Sequence, residues 1–285
     1  MKLLRVGTAG RERPALLDDG GTLRDLSDLV TDIDGTLLSD PEALARVRTA
    51  AATGDLPVLD RTGLRTGPPL ARIGKIVCIG LNYHDHARET GAQPPAEPVV
   101  FLKAPDTVVG PDDPVLVPRG SRKTDWEVEL AVVIGREARY LESAEDALAH
   151  VAGYTIGHDV SEREFQTERG GTWDKGKNCE TFNPLGPWLV TADEVPDPQD
   201  LRLRLWVNGT LRQDGTTAEQ IFPVGDVVRY VSHFMVLRPG DVISTGTPAG
   251  VAMGRPEPKP YLRAGDVVEL EIDGLGRQRQ ELRPA

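Results

Sequence analysis

Thr124 to Gly135, TDWEVELAVVIG, alternates with a period of two. As a strand it places Trp126, Val128, Leu130, Val132 and Ile134 on one face and Glu127, Glu129, Ala131 and Val133 on the other. Similar short apolar runs bounded by Gly, Pro, Asn or Asp follow throughout the chain from about residue 71. They are KIVCIGL, PVVFLK, TVVG, PVLVP, VAGYTIGHD, GPWLVT, LRLRLWVNG, DVISTG and DVVELEID. Each reads as a strand between turns. Helical signals are fewer over this stretch: AEDALAHV is one, and VGDVVRYVSHFMVL is stronger. In the latter, Val224, Val227, Val228, Val231, Phe234 and Met235 recur at helical spacing. The pattern predicts a β-rich α+β chain rather than a repeating βαβ one.

The first seventy residues form a unit of their own. KLLRV is followed by PALLDDGGTLRDLSDL, in which DDGG reads as a hairpin turn. SDPEALARVRTAAATG then predicts a short helix, with Ser39 or Asp40 as its cap, Pro41 in its first turn and Gly54 as its stop. DRTGLRTGPPLARIG reads as a linker, so a small domain over 1–70 and a larger one over 71–285 are expected.

A formal net charge of -11, from 44 acidic against 33 basic residues, lacks the positive field that nucleic acid or an anionic membrane requires. The apolar runs are too short to span a bilayer, and the start MKLLRVGTAGRERP lacks a signal-peptide core. A soluble, cytoplasmic protein is expected. Cys78 and Cys179 form no CxxC pair, and neither a disulfide framework nor a zinc site is predicted.

The strand above also carries candidate chemistry. Glu127 and Glu129 share a face about 7 Å apart, and that face continues as Ala131 and Val133 rather than as solvated positions. A third carboxylate, Asp159, stands where VAGYTIGHD ends. Three carboxylates so placed suit a hard divalent cation, Mg²⁺, Mn²⁺ or Ca²⁺. Directly after Asp159, Ser161 and Glu164 have the spacing of a capping box, with Val160 and Phe165 as a hydrophobic staple. Arg163 and Gln166 lie three apart on the resulting helix, where surface solvation is their ordinary fate. His158 alternates to the other strand face, a position that is structural or supports the ligands from behind.

In GLNYHDHARETG, Asn82 can cap a helix that Gly91 stops, which makes His86 and Glu89 neighbours at i and i+3. A carboxylate beside an imidazole raises its basicity and sets its tautomer, as a water-activating base requires, although a surface ion pair has the same spacing. Lys175 and Lys177 lie in DKGKNCETFNPLGP, either solvated or aimed at developing negative charge. VISTGTPAGV runs a strand into a Gly/Thr loop that could cradle a carboxylate.

Together GLNYHDHARE, PVVFLKAP, TDWEVELAVVIG, GYTIGHDVSERE, GKNCETFNPLGPWLV and PGDVISTGTPAGV resemble, in order, the fumarylacetoacetate hydrolase family. The resemblance covers roughly residues 72–285. The first seventy residues resemble the short leader domain of bacterial members. The tract SEREFQTERGGTWDKGK is most similar to hydrolases of 2,4-diketo-3-deoxy sugar acids such as L-2,4-diketo-3-deoxyrhamnonate or -fuconate. The resemblance implies a mixed β-sandwich or β-roll catalytic domain and a homodimer. It implies Mg²⁺ or Mn²⁺ on Glu127, Glu129 and Asp159, with His86 and Glu89 as the water-activating dyad on a lid helix. Lys177 then steadies the enolate, Lys103 also faces the site, Gly246 and Thr247 hold the substrate carboxylate, and Arg163 and Gln166 contact substrate. His84, where many members have another residue, is a second imidazole near the base.

The implied reaction is hydrolysis of a carbon–carbon bond in a 2,4-diketo acid, an acylpyruvate or diketo-deoxy sugar acid, to pyruvate and a carboxylic acid. The alternative is decarboxylation of an oxaloacetate-like acid, keto/enol isomerisation, or a ureidoglycolate lyase-like reaction at the same site. A non-enzymatic, divalent-binding scaffold is a rival of another class.

Overall fold

The computed structural model describes all 285 residues. The N-terminal alternation forms the strand Lys2–Val6 and the hairpin Arg13–Leu17/Leu23–Asp25. Its turn is closed by the Asp18 N–H to Thr22 O and the Gly21 N–H to Asp18 O, as the DDGG signal predicts. The helix Pro41–Thr53 begins at Asp40, whose carboxylate accepts from the N–H groups of Glu42 and Ala43, and stops at Gly54.

These N-terminal strands do not form a sheet of their own. Lys2–Val6 pairs antiparallel with Asn183–Thr191 and so extends the central sheet. That sheet is ten-stranded and runs, from one edge, 23–25, 13–17, 2–6, 183–191, 151–158, 128–134, 242–244, 76–80 and 99–103, with 108–109 added in parallel to 183–191. A five-stranded sheet, ordered 210–216, 202–207, 267–272, 276–284 and 115–117, packs against one of its faces. The fold is a sheet-rich α+β architecture.

Strand Val128–Ile134 shows why the alternation at the start mattered. Val128, Leu130, Val132 and Ile134 enter a core shared with Leu203, Leu205, Val268 and Leu270 of the second sheet and with the helix Val224–Ser232. Ala131 and Val133 face the opposite core, with Leu3, Leu16, Ile33 and Val47 from the N-terminal region. All seven residues are buried, and each fully buried aliphatic side chain contributes about 1.5–3 kcal/mol. The strand is thereby held from both sides, a rigid base for the carboxylates at its start.

Several local expectations are corrected. The 124–135 strand is broken at Trp126 and Glu127. Thr124–Asp125 pairs instead with Ser161–Glu162, and the Val128 N–H is taken by Gln213 Oε1 at 3.0 Å. Asn82 caps no helix: Tyr83 stands at the cap of His84–Thr90, and the Asn82 amide joins Phe222 O and Thr245 O. The capping box is absent, because Ser161 is buried in a strand and the helix Arg163–Thr167 is capped by Glu162. The helix from Val224 ends at Ser232, leaving Phe234 exposed. Gly276–Pro284 gave no strand signal because its inward positions include Gln278 and Gln280, fully buried but satisfied by Ile156 O, Gly186 O and Pro111 O.

Candidate metal centre and its surroundings

Strand Val151–His158 runs antiparallel to Val128–Ile134, with Gly157 opposite Glu129. The Asp159 N–H then bonds Glu127 O at 3.0 Å, which brings the third carboxylate beside the first two. One oxygen from each of Glu127, Glu129 and Asp159 lies within 4.8 Å of the others, and all three residues are buried. This is an acidic metal-binding triad.

Buried cations brace it. Lys177 Nζ donates to Glu127 Oε2 at 2.8 Å and to Asp159 Oδ2 at 2.6 Å. Arg163 donates to Glu127 Oε1 at 2.6 Å and to Asp125 Oδ2 at 2.8 Å. Lys103 reaches Asp159 Oδ1, Val160 O and Phe182 O. Four carboxylates thus face three cations, and the imbalance falls on Glu129. Only one of its oxygens accepts a hydrogen bond, from the Gly246 N–H at 2.9 Å.

Electrostatics follow from these contacts. Burial alone would raise the Glu127 carboxyl, but Lys177 and Arg163 outweigh it and pull it down to about 2. Burial, reinforced by Asp159 and Glu127, holds Glu129 well above the usual carboxylate range. Burial also opposes the charge on Lys177, yet Asp159 and Glu127 keep its ammonium form favoured. A hard dication fits this donor set, because it would supply the positive charge that Glu129 lacks.

That fit carries a prediction. Without the ion, the folded protein retains a proton on Glu129 that the unfolded chain releases around its ordinary value of 4.5. Glu129 therefore favours folding below that pH and loses this contribution as pH rises toward the elevated folded value. At pH 7.5, Glu129→Gln is expected to leave the metal-free protein as stable as the parent or more so. It should also abolish the stabilisation that a divalent ion gives the parent, about 2.7 kcal/mol at a hundredfold excess over Kd and read as a rise in Tm. A metal-induced shift that persists in the variant would refute the assignment.

The position of Lys177 depends on its neighbour. A Cβ on Gly176 would lie 2.5 Å from Glu162 O and 2.6 Å from the Gln166 backbone N, so only glycine lets the helix Asp174–Lys177 seat against Arg163–Thr167. Gly176→Ala is expected to push Lys177 out of the carboxylate pair and to lower kcat at least tenfold, with kcat of the purified variant as the check.

Over the triad stands the helix His84–Thr90, with His86 and Glu89 on its inner side. His86 Nδ1 meets Glu89 Oε1 at 3.2 Å, and Glu89 Oε2 accepts the Gly250 N–H at 2.7 Å. The dyad is therefore pinned to the loop after Gly246. His86, the three carboxylates, Lys177, Arg163, Gln166, Gly246 and Thr247 all line one cavity of about 210 Å³.

Two predicted residues are placed differently from the rest. Lys103 is buried beneath the cavity, with its three acceptors already named, and so positions Asp159. His84 is exposed and lines no part of the cavity. Burial pushes the Cys179 thiol up to about 11, away from the thiolate form. His158 lies on the opposite face, where burial pushes it down to about 3 and Gln280 holds Nδ1 at 3.1 Å.

Asp125 and Gln213 escaped the sequence reading. Asp125 accepts from Arg163 and from the N–H groups of Ala252 and Met253, locking the cation and the loop together. Its signal was the same alternation that gave Glu127 and Glu129, extended one step earlier. Gln213 donates to Thr247 Oγ1 at 2.7 Å and to Pro248 O at 2.8 Å from the second sheet, and nothing in sequence marks it.

The model of the C-terminal region of fumarylacetoacetate (FAA) hydrolase matches residues 75–283. The chain belongs to the fumarylacetoacetate hydrolase family. It is 53% identical, over the full length of both chains, to a Burkholderia ambifaria protein provisionally named a hydrolase. Among solved structures, a maleylpyruvate hydrolase from Sphingobium sp. SYK-6, in complex with manganese(II) ion and pyruvate, is 30% identical with a TM-score of 0.82, with both chains covered completely. A 2-hydroxyhepta-2,4-diene-1,7-dioate isomerase from Mycobacterium marinum is 33% identical with a TM-score of 0.74, over 100% of this chain and 98% of that one. The chain is thus an enzyme of a family whose relatives carry both hydrolase and isomerase names. No helix in it is long and apolar enough to cross a membrane.

Proposed function

We propose that this enzyme hydrolyses a carbon–carbon bond in 2,4-diketo acids, acylpyruvates or diketo-deoxy sugar acids, releasing pyruvate and a carboxylic acid. The observation that carries the proposal is that His86, held through Nδ1 by Glu89, lines the same small cavity as the carboxylate triad. Glu127, Glu129 and Asp159 would hold Mg²⁺ or Mn²⁺, with Ca²⁺ as a substitute. The manganese and pyruvate in the Sphingobium relative support this reading. Such an ion supplies Lewis acidity toward a 2-oxo acid.

The chain's own groups perform the remaining work. Glu89 holds Nδ1 of His86, which leaves Nε2 free to take a proton from water as its oxygen attacks the C4 carbonyl. The C3–C4 bond then breaks, and its electrons pass to the pyruvate enolate. Lys177 has two N–H bonds occupied by carboxylates, and its third is left to steady the enolate oxygen. The proton on His86 returns to C3. Gly246 and Thr247, which line the cavity, would hold the substrate carboxylate, and Arg163 and Gln166, which line it too, would contact substrate.

The isomerase from M. marinum supports a second reading, in which an enolate is reprotonated with no water attack. A metal-supplemented screen of acylpyruvates, diketo-deoxy sugar acids and oxaloacetate separates the two, following enol absorbance together with pyruvate. Hydrolysis gives pyruvate from a 2,4-diketo acid in step with enol loss, whereas pyruvate released from oxaloacetate together with CO₂ marks decarboxylation. Enol loss with no pyruvate would overturn hydrolysis in favour of isomerisation. A cytoplasmic homodimer is the assembly that the family resemblance implies, and light scattering coupled to size exclusion checks its dimeric part.

A further inference from the structure

Residues Gly250 to Gly254 continue the loop that begins at Gly246 and end in the short 3₁₀ turn Ala252–Gly254. The turn is held from several sides. Asp125 accepts from the N–H groups of Ala252 at 2.7 Å and Met253 at 3.0 Å, and Trp126 Nε1 donates to Gly250 O at 3.1 Å. The Arg255 guanidinium spans Gly250 O and Arg212 O. Asp125 and Trp126 lead directly into Glu127 and strand Val128–Ile134, so the turn is fastened to the same base as the carboxylate triad.

Glu89 lies against this turn at two points. Its Oε2 accepts the Gly250 N–H, and its aliphatic stem crosses the bare face of Gly254. A Cβ on Gly254 would fall 2.3 Å from Glu89 Cγ, 2.4 Å from Cδ and 2.8 Å from Oε1, the oxygen that meets His86 Nδ1. The backbone of Gly254 is outside the left-handed region that favours glycine, so an alanine there meets no backbone strain and its whole cost is this collision. The two sides of the collision do not yield equally. Moving the turn would break the bonds to Asp125 and Trp126, whereas Glu89 can rotate about its own side-chain torsions.

We infer, resting on the reading above, that Gly254 is a positioning residue of the water-activating dyad. The bare backbone there lets Glu89 stand between His86 and the Gly250 N–H, where it fixes the imidazole as its Nδ1–H tautomer and leaves Nε2 for water. Gly254 lines no part of the cavity and acts only through Glu89.

The test compares Gly254→Ala, Glu89→Ala and the double variant with the parent, each as the full chain with Mg²⁺ added. The substrate is 2,4-dioxopentanoate or whichever acid of the screen is cleaved fastest. Gly254→Ala should lower kcat by about tenfold to a hundredfold. KM and calorimetric binding of pyruvate should stay within about twofold, and the Mg²⁺-induced rise in Tm should be unchanged. The double variant should be no slower than Glu89→Ala, because a residue that acts through another adds nothing once that other is gone. Nitrogen NMR of the His86 ring, assigned against His86→Ala, should show Nδ1 protonated in the neutral ring of the parent. Gly254→Ala and Glu89→Ala should both show mixed tautomers instead. A kcat of Gly254→Ala within about twofold of the parent overturns the inference. So does an unaltered His86 tautomer, or a loss in the double variant equal to the product of the two single losses. Should Gly254→Ala fail to fold, the double variant should recover the fold, since the three atoms nearest the new Cβ all belong to Glu89, and its failure to do so also overturns the inference. Should no compound be cleaved, hydrolysis fails, while the tautomer comparison still decides the role of Gly254.

Discussion

Asp159→Ala is expected to abolish measurable turnover and to destabilise the protein by about 3–5 kcal/mol. The side chains of Lys103 and Lys177 are 0% and 2% exposed, and both donate to this carboxylate. Its removal leaves Lys103 with carbonyl acceptors only and halves the anionic contacts of Lys177, so positive charge is stranded away from water. The cost of breaking such a pair from one side far exceeds the net value of the intact pair. The same substitution removes one of three candidate metal ligands, so the divalent-dependent rise in Tm should disappear together with at least a thousandfold of kcat. Chemical denaturation and the metal titration read the two effects separately. A variant within 1 kcal/mol of the parent would show that the cations have another counter-charge.

His86→Ala should lower kcat/KM by about 10²–10⁴ with little effect on stability or on the metal-induced Tm shift. The imidazole touches none of the triad oxygens through a hydrogen bond, and its Nδ1 partner Glu89 keeps a second anchor on the Gly250 N–H. Glu89→Gln should fall between parent and His86→Ala, since an amide can still orient the ring without supporting its protonated form. A loss below tenfold in His86→Ala would remove the general-base role and favour a reaction that requires no attacking water. The pyruvate screen and this variant therefore test the same claim by independent routes.

The buried chemistry was legible wherever it followed strand alternation. Glu129, Ala131 and Val133 share a face because a strand turns its side chains by half a revolution per residue, and Ala131 and Val133 lie in the core on that side. Glu127 stands in the break before the strand, where its carbonyl takes the Asp159 N–H. Asp159 was marked by its place at the end of an apolar run, and His86 with Glu89 by helical spacing, which the helix His84–Thr90 realises although Asn82 is not its cap. Cap assignments failed where a polar side chain had a tertiary partner of greater value. Asn82 bridges two distant carbonyls, and Ser161 is drawn into a two-stranded ladder with Asp125.

What the sequence determined by itself was the fold class, the family and the identity of the carboxylates, because these depend on local periodicity and on order along the chain. Tertiary structure alone decided that the N-terminal strands extend the central sheet, that Lys103 braces Asp159 beneath the cavity, and that Gln213 anchors Thr247 from the second sheet. It also brought Phe101 and Trp173, 72 positions apart in the chain, together beside Lys177. Such pairings are set by which surfaces exclude water from one another when the sheets pack, and a side chain's neighbours across that packing leave no periodic trace in its own segment.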